Sequence, residues 1–187
     1  MHQAEPDLSP FFSPRSVVVY GATDDADKAG GRIFSLLGRS GLPVYPIHPT
    51  LARIHESPVY RTALDLPEQP DLAVLAVAAR HCEQALLDAL AGGARGIIVV
   101  ASGFGETGPP GMELERRLAR FARDRGARLL GPNTLGIFVP HKRLDTIFVE
   151  HGDRGVEVRR GAEDLEAREP GQSPVHRIDG DRRSPHA

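Results

Sequence analysis

Short apolar runs rich in β-branched residues recur along this chain, and each is followed by a segment whose apolar residues repeat at helical spacing. The clearest runs cover residues 16–20, 71–77 and 96–101. Runs that are apolar at nearly every position are typical of parallel strands whose two faces are both covered by crossover helices. The alternation therefore predicts an α/β fold of the doubly wound kind, with a mainly parallel sheet.

The remaining elements follow from the same two periodicities and from Gly and Pro stop signals. Further strands are predicted over residues 44–47 and 127–130, with a short strand over residues 58–60. Helices are predicted over residues 30–40, 80–91 and 112–125, and a helical turn over residues 62–66.

The composition changes sharply near residue 149. The last part of the chain, residues 151–187, has no aromatic residue and a single leucine among many charged residues, Gly and Pro. Such a segment buries too little apolar surface to offset the entropy of ordering. The sequence predicts one folded domain over residues 8–149 and a disordered polar tail over residues 150–187.

Composition excludes several classes of function. A formal net charge of -2 gives no overall basic field for nucleic acid. The single cysteine, Cys82, allows no intrachain disulfide, and the first ten residues lack the features of a signal peptide. No apolar run approaches the ~20 residues that cross a bilayer, and the eight histidines lack zinc-site spacing. We expect a soluble cytoplasmic protein without a metal.

The loops that follow the predicted strands are rich in Gly, Ser, Thr and Asn. Because parallel strands point their carboxyl ends to one edge, these loops are expected to form one ligand-binding crevice. The loops are residues 21–25, 48–50, 78–80, 102–106 and 131–134.

The first of these loops leads into a helix, where backbone N–H groups and the helix dipole favour a phosphate, and Lys28 and Arg32 add positive charge. A Rossmann-like dinucleotide site is the obvious competitor. However, Thr23 stands where the second glycine of that fingerprint is expected, and His48-Pro49 follows the second strand without a carboxylate for a ribose hydroxyl. These features disfavour NAD, although the glycines alone also fit a tight turn without a ligand.

Four motifs together resemble one family. They are residues 8–17, Gly21-Ala22-Thr23, Ser102-Gly103-Phe104-Gly105-Glu106 and Gly131-Pro132-Asn133-Thr134-Leu135-Gly136, and the match extends through residues 144–148. In order and spacing the chain resembles the CoA-binding N-terminal domain of the nucleoside-diphosphate-forming (ADP-forming) acyl-CoA synthetases, which is related to the succinyl-CoA synthetase alpha subunit. The resemblance implies a Rossmann-like domain with coenzyme A as its ligand.

The resemblance also implies roles for the loops. The first approaches the nucleotide phosphates, residues 77–79 line the adenine or pantetheine path, residues 102–103 border the pantetheine, and Asn133 lies near its reactive end. With the loop residues Lys28, His48 and Pro49 added, the predicted CoA-binding residues are Gly21, Ala22, Thr23, Lys28, His48, Pro49, Val77, Ala78, Ala79, Ser102, Gly103 and Asn133.

The chain departs from that family in three respects, one of which is Ala78, where the family often has a proline after Val77. Where the family has Asn-Pro-Lys after the second strand, this chain has His48-Pro49-Thr50, so a cationic phosphate contact is missing unless Arg53 or Lys28 replaces it. The Ser-Gln-Ser-Gly motif, the phosphorylated histidine and the ATP-grasp region of the family have no counterpart here. We therefore expect CoA binding without ligase turnover by this chain alone, which either works with separate swivel and ATP-grasp subunits as partners or is the remnant of a longer synthetase.

No catalytic residue is predicted. Cys82, beside His81, lacks a third partner and is interpreted as a buried thiol, and Glu106 is interpreted as a solvated loop residue. Two alternatives remain open, namely a stand-alone regulatory or carrier CoA-binding protein and an NAD(P)-binding Rossmann oxidoreductase.

Overall fold

The fold is built on a five-stranded parallel sheet, as seen in a computed structural model that describes residues 7–149. The predicted tail over residues 150–187 lies outside the described residues. The strands, in chain order, are β1 (Val17–Tyr20), β2 (Val44–Ile47), β3 (Arg53–Ile54), β4 (Ser57–Pro58), β5 (Leu72–Leu75), β6 (Gly96–Val99), β7 (Arg128–Leu130), β8 (Phe138–Val139) and β9 (Leu144–Asp145).

Four α-helices accompany these strands in the described residues: α1 (Ser9–Phe12), α2 (Ala29–Leu37), α3 (Ala79–Ala91) and α4 (Pro109–Asp124). Single turns of 3-10 helix cover Ala63–Asp65, Gly105–Thr107 and Pro140–Lys142. The doubly wound α/β class predicted from the alternating runs is confirmed. Within residues 7–149, no helix has both the length and the apolar character needed to cross a bilayer.

The order of strands in the main sheet is β2-β1-β5-β6-β7, and every neighbouring pair is parallel. The chain therefore runs outward from β1 to β2 and then returns across β1 to form β5. This reversal places a switch point between the carboxyl ends of β1 and β5, where Tyr20 is in register with Leu75. A crevice at such a point is the usual ligand site of an open parallel sheet.

Two apolar layers cover the sheet. On one face, side chains from α3 and α4 such as Leu86 and Leu118 pack on Tyr20 and Leu75. On the other face, α2 packs through Ile33 and Leu37 on alternate residues of the same strands. Because β1, β5 and β6 are buried at all four positions, both faces are apolar, which explains why these strands lack polar alternation.

The structure differs from the sequence prediction at several short elements. Helix α4 begins at Pro109, three residues before the predicted start at Met112, because proline is well suited to the first turn of a helix. The predicted strand over residues 58–60 is divided: β4 pairs with β3 in a hairpin, while Tyr60 forms a parallel bridge with Ile47. Helix α1 and the β8-β9 hairpin were not predicted.

Candidate functional site

At the carboxyl edge of the sheet, the loops that follow neighbouring strands contact one another. The Gly21 N–H donates to the Ile47 carbonyl oxygen at 3.2 Å, which joins the loop after β1 to the end of β2. On its other side, a Cβ atom at Gly21 would lie 2.4 Å from the Ala76 carbonyl oxygen, beyond β5. The Asn133 N–H donates to the Ala101 carbonyl oxygen at 3.0 Å, which joins the loops after β7 and β6.

The loop after β1 is pressed against the start of α2. Gly21 has φ +80°, a conformation that favours glycine, and a Cβ atom at Gly30 would lie 2.0 Å from the Gly21 carbonyl oxygen. Only glycine therefore allows this helix to begin so close to the loop. Ala22 is fully buried in the core, whereas Thr23 is partly exposed.

The start of α2 has no side-chain cap. Its N-cap residue, Lys28, makes no side-chain capping hydrogen bond. The first N–H groups of a helix have no partner within the helix, and of the first three residues of α2 only Ala29 is partly exposed to a ligand.

The two cations of this segment already have protein partners. The Lys28 Nζ lies 3.3 Å from a carboxylate oxygen of Asp25, and the Lys28 side chain is largely exposed. Arg32 donates to the carbonyl oxygens of Ala26 and Phe148, at 3.3 and 3.2 Å. Lys28 thus remains at the loop with its charge partly offset, while Arg32 joins the loop to a later part of the chain.

The loop after β2 contains the predicted residues His48 and Pro49. The His48 Nδ1 accepts hydrogen bonds from the backbone N–H groups of Thr50 and Leu51, at 3.3 and 3.2 Å. This acceptor role requires the neutral ring, and burial, together with the positive charge of Arg61, lowers the His48 pKa below its ordinary value. His48 therefore shapes the turn, and Pro49 lies exposed within it.

Arg61 was not predicted as a site residue, yet its guanidinium lies against this same turn. It donates to the His48 carbonyl oxygen at 2.9 Å and to the Thr50 carbonyl oxygen at 3.4 Å. The sequence signal was weak, because Arg61 follows an irregular segment and reaches the edge only through the Tyr60–Ile47 bridge. Arg53, which was considered as a replacement cation, instead donates to the carbonyl oxygen of Glu56 within the β3-β4 hairpin, at 2.7 Å.

The loop after β5 brings Val77, Ala78 and Ala79 to the switch point. Val77 and Ala79 are partly buried against the core, and Ala78 is the exposed N-cap of α3. Alanine offers no side-chain cap, so α3 also begins with backbone N–H groups that lack a side-chain partner. Two uncapped helix starts, those of α2 and α3, consequently flank the switch point.

Cys82 lies one turn into α3 and is fully buried. Its thiol donates to the Val77 carbonyl oxygen at 3.5 Å. Burial raises the Cys82 pKa to about 11, so the nucleophilic thiolate is disfavoured at neutral pH. The structure thus contains the buried thiol expected from the sequence.

The loop after β6 places Ser102 at the surface, with Gly103 close to the start of α3. A Cβ atom at Gly103 would lie 3.1 Å from that of Ala79. Glu106, interpreted from the sequence as a solvated side chain, accepts hydrogen bonds from the N–H groups of Gly103 and Phe104. The hydrogen bond from Gly103, first among several backbone hydrogen bonds, holds the Glu106 pKa below its ordinary value, so the carboxylate caps this turn.

The loop after β7 presents Asn133 at the far end of the edge. Asn133 is exposed and has φ +55°, a left-handed conformation that asparagine tolerates better than most residues. Its backbone is fixed by the hydrogen bond to Ala101, so the carboxamide projects from a held position. Within residues 7–149, no group of three or more His, Cys, Asp or Glu is arranged to hold a metal ion.

Comparison with known proteins gives a consistent result. The family model described as a CoA binding domain matches residues 15–140. The chain is 34% identical over 163 residues to acetate–CoA ligase [ADP-forming] II of Archaeoglobus fulgidus, covering 83% of this chain and 24% of that protein. It is 32% identical over 149 residues to the alpha subunit of acetate–CoA ligase [ADP-forming] II of Pyrococcus furiosus, covering 79% and 33%.

A solved structure agrees with these matches. The dinucleotide-forming acetyl-coenzyme A synthetase 1 of Ca. Korarchaeum cryptofilum, in complex with phosphate and ADP, superposes with a TM-score of 0.72 at 34% identity, covering 76% of this chain and 31% of that one. The chain thus spans about a quarter to a third of the length of these relatives. The similarity covers the sheet and the loops at its carboxyl edge, since the matched residues 15–140 contain all five of those loops.

Proposed function

Since the chain belongs to the family of CoA-binding domains, we propose that it binds coenzyme A across the carboxyl edge of its parallel sheet. Membership confirms the family predicted from the four motifs. One observation carries the proposal: the uncapped starts of α2 and α3 both flank the switch point between β1 and β5. Uncapped helix starts attract anions, and the diphosphate of CoA is the group that this arrangement suits.

The predicted residues receive roles according to their positions. Thr23 and the backbone of Gly21 face the diphosphate, with Ala22 buried behind them and Lys28 beside them as an exposed cation. His48 and Pro49 form the wall of the site at β2. Val77, Ala78 and Ala79 line the crevice at the switch point, Ser102 and Gly103 border the pantetheine, and Asn133 lies near the thiol end.

We further propose that this domain supplies the CoA site of a nucleoside-diphosphate-forming acyl-CoA synthetase. Such an enzyme exchanges acyl-CoA, nucleoside diphosphate and phosphate for free acid, CoA and nucleoside triphosphate. The remaining steps would need a swivel domain with a phosphorylated histidine and an ATP-grasp domain, and these are the partners we propose. A cytoplasmic location fits both the chemistry and the single, buried cysteine.

Calorimetric titration of the purified chain tests the proposal directly. CoA and acetyl-CoA are expected to bind with similar affinity, because the nucleotide and pantetheine carry the contacts, whereas NAD and NADP are expected to give no measurable heat. Binding of NAD without any response to CoA would instead support the oxidoreductase alternative.

A pair of matched variants tests where the ligand lies. Ala78→Glu adds a carboxylate at the start of α3, where a negative charge is compatible with the helix dipole but repels a phosphate. We expect it to weaken CoA binding by about tenfold or more, the effect of losing about 1.4 kcal/mol. Ala91→Glu makes the same change at the exposed far end of α3 and should leave the affinity within about twofold. Equal losses in the two variants would contradict the placement.

A further inference from the structure

In a nucleotide-binding sheet of this kind, residues at the carboxyl end of β2 contact the ribose. In dinucleotide-binding folds, a carboxylate at this point accepts a ribose hydroxyl, while an arginine nearby accommodates a phosphate on the ribose. In this chain His48, Pro49 and Thr50 follow β2, so no carboxylate is present there. Whether a carboxylate or a cation lies at this point therefore indicates whether the site favours a free ribose or a phosphorylated one.

Arg61 supplies a cation at this point. Its guanidinium donates to the carbonyl oxygens of His48 and Thr50, at 2.9 and 3.4 Å, and so is held against the turn that ends β2. The neighbouring position is fixed as well, because the Tyr60 N–H donates to the Pro46 carbonyl oxygen at 3.0 Å. Arg61 therefore belongs to the carboxyl edge by its backbone and by its side chain.

The guanidinium retains donors for a ligand. An arginine carries five N–H donors in a planar fork, and the two hydrogen bonds to His48 and Thr50 leave the others free to act. Arg61 is exposed, and among residues 7–149 no carboxylate forms an ion pair with it. The positive charge of Arg61 also acts on the His48 ring, because it is the second cause, after the larger effect of burial, of the lowered His48 pKa.

Three other cations near this edge differ from Arg61 either in their partners or in their position. Lys28 is paired with Asp25, and Arg53 with Glu56 at 3.4 Å. Arg32 is engaged by the backbone of Ala26 and Phe148. Of these four cations, Arg61 alone combines a fixed position at the end of β2 with an uncompensated charge.

We propose that Arg61 binds the phosphate on the ribose of coenzyme A, so that the site selects a phosphorylated over an unphosphorylated adenosine. The inference rests on the proposed function and adds to it a specificity-determining residue. Arginine suits this role because its fork matches two phosphate oxygens, while the backbone contacts hold the side chain in place before the ligand arrives.

The test compares CoA with dephospho-CoA, which lacks only the ribose phosphate, by calorimetric titration of the full chain. We expect the wild-type chain to bind CoA at least about tenfold more tightly than dephospho-CoA, as for a hydrogen bond between charged groups. In Arg61→Gln the ratio of the two affinities should fall to about one, because only the affinity for CoA should decrease. Arg61→Lys should give an intermediate ratio, because it keeps the charge but not the fork.

Arg95→Gln is the matched control, because Arg95 also donates to a backbone carbonyl oxygen, that of Arg125 at 2.8 Å, but directly before β6 at the opposite edge. It should keep the wild-type ratio. A ratio that stays at its wild-type value in Arg61→Gln and Arg61→Lys would overturn the role of Arg61 while leaving CoA binding intact. If neither ligand bound to the wild-type chain, the proposed function would be overturned. Tighter binding of NADP than of NAD, without CoA binding, would show that the ribose phosphate recognised is that of NADP.

Discussion

The two edges of the sheet differ in how their polar groups are satisfied. At the amino edge, polar groups satisfy one another: Asp71 accepts three hydrogen bonds from the backbone and guanidinium of Arg15, and its carbonyl oxygen accepts the N–H groups of Arg95 and Gly96. The Arg95 carbonyl oxygen in turn accepts the Arg128 N–H at 2.8 Å. These contacts tie β1, β5, β6 and β7 together at the ends where they begin.

The carboxyl edge leaves polar groups available. Two helices begin there without side-chain caps, and the guanidinium of Arg61 lies there without a carboxylate partner among the described residues. We therefore expect the amino edge to contribute to folding, and the carboxyl edge to contribute both to folding and to binding. Substitutions at the two edges should separate these contributions.

The largest effect is expected at Gly30. Because a Cβ atom there would lie 2.0 Å from the Gly21 carbonyl oxygen, Gly30→Ala forces α2 away from the first loop. We expect a loss of about 3 kcal/mol in the free energy of unfolding, as for overpacking of a close contact, and weaker CoA binding in the molecules that remain folded. Urea unfolding and calorimetry measure the two effects.

Gly38→Ala is the control for this substitution. Gly38 ends α2 with φ -57°, and the nearest atom to a Cβ there is 3.4 Å away. The free energy of unfolding of Gly38→Ala should differ from that of the wild type by less than about 1 kcal/mol, and its CoA affinity should be unchanged. If Gly30→Ala behaved like Gly38→Ala, the close packing of helix and loop would not be needed for either property.

A smaller effect, confined to stability, is expected at the amino edge. Asp71→Asn removes the charge that Arg15 contacts at 2.9 Å, and we expect a loss of about 1 kcal/mol, because Arg15 is largely exposed and its charge is screened by solvent. CoA affinity should not change. Glu113→Gln, which breaks the exposed pair with Arg116, should cost less than about 0.5 kcal/mol.

The effect of Asp71 also depends on pH in a defined direction. The hydrogen bond from Arg15 holds the Asp71 pKa below its ordinary value. Its stabilisation is therefore present above the unfolded pKa of about 3.9 and is lost as pH falls through the folded pKa. The difference in stability between wild type and Asp71→Asn should shrink over that acid range, and a constant difference would argue against the ion pair.

The smallest effect is expected at the carboxyl edge and concerns His48. Since burial and the charge of Arg61 lower its pKa, the ring should titrate below the ordinary value of about 6.5 in an NMR pH series. Its stabilisation is present above that unfolded value and is lost as pH falls through the folded pKa. Arg61→Gln should raise the His48 pKa, and an unaltered titration would show that the guanidinium lies elsewhere in solution.

The sequence was sufficient to predict the central sheet. The run over residues 44–47 coincides with β2, and the runs that gave β1, β5 and β6 differ from the observed strands by one or two residues at an end. These strands are buried on both faces, so their apolar composition is a strong signal. The β3-β4 and β8-β9 hairpins have two-residue strands whose pairing depends on contacts far along the chain, and no local pattern predicts them.

The candidate site was less predictable than the sheet. The positions of its glycines and loops followed from motif order and from the parallel topology. Arg61 was missed because its place depends on the Tyr60–Ile47 bridge, and Glu106 was assigned to solvent because its hydrogen bonds to Gly103 and Phe104 depend on the shape of the loop. Contacts of this kind are decided by the folded backbone and not by residue spacing.

The placement of the ligand at one edge is tested most directly by NMR of the amide groups during titration with CoA. We expect the largest shift changes at the carboxyl edge, in residues such as Gly21, Thr23, Ala79, Gly103 and Asn133. The amides of Arg15, Arg95 and Arg128 at the amino edge should remain within the scatter of the protein as a whole. Shift changes concentrated at the amino edge, with the carboxyl-edge loops unaffected, would contradict the account.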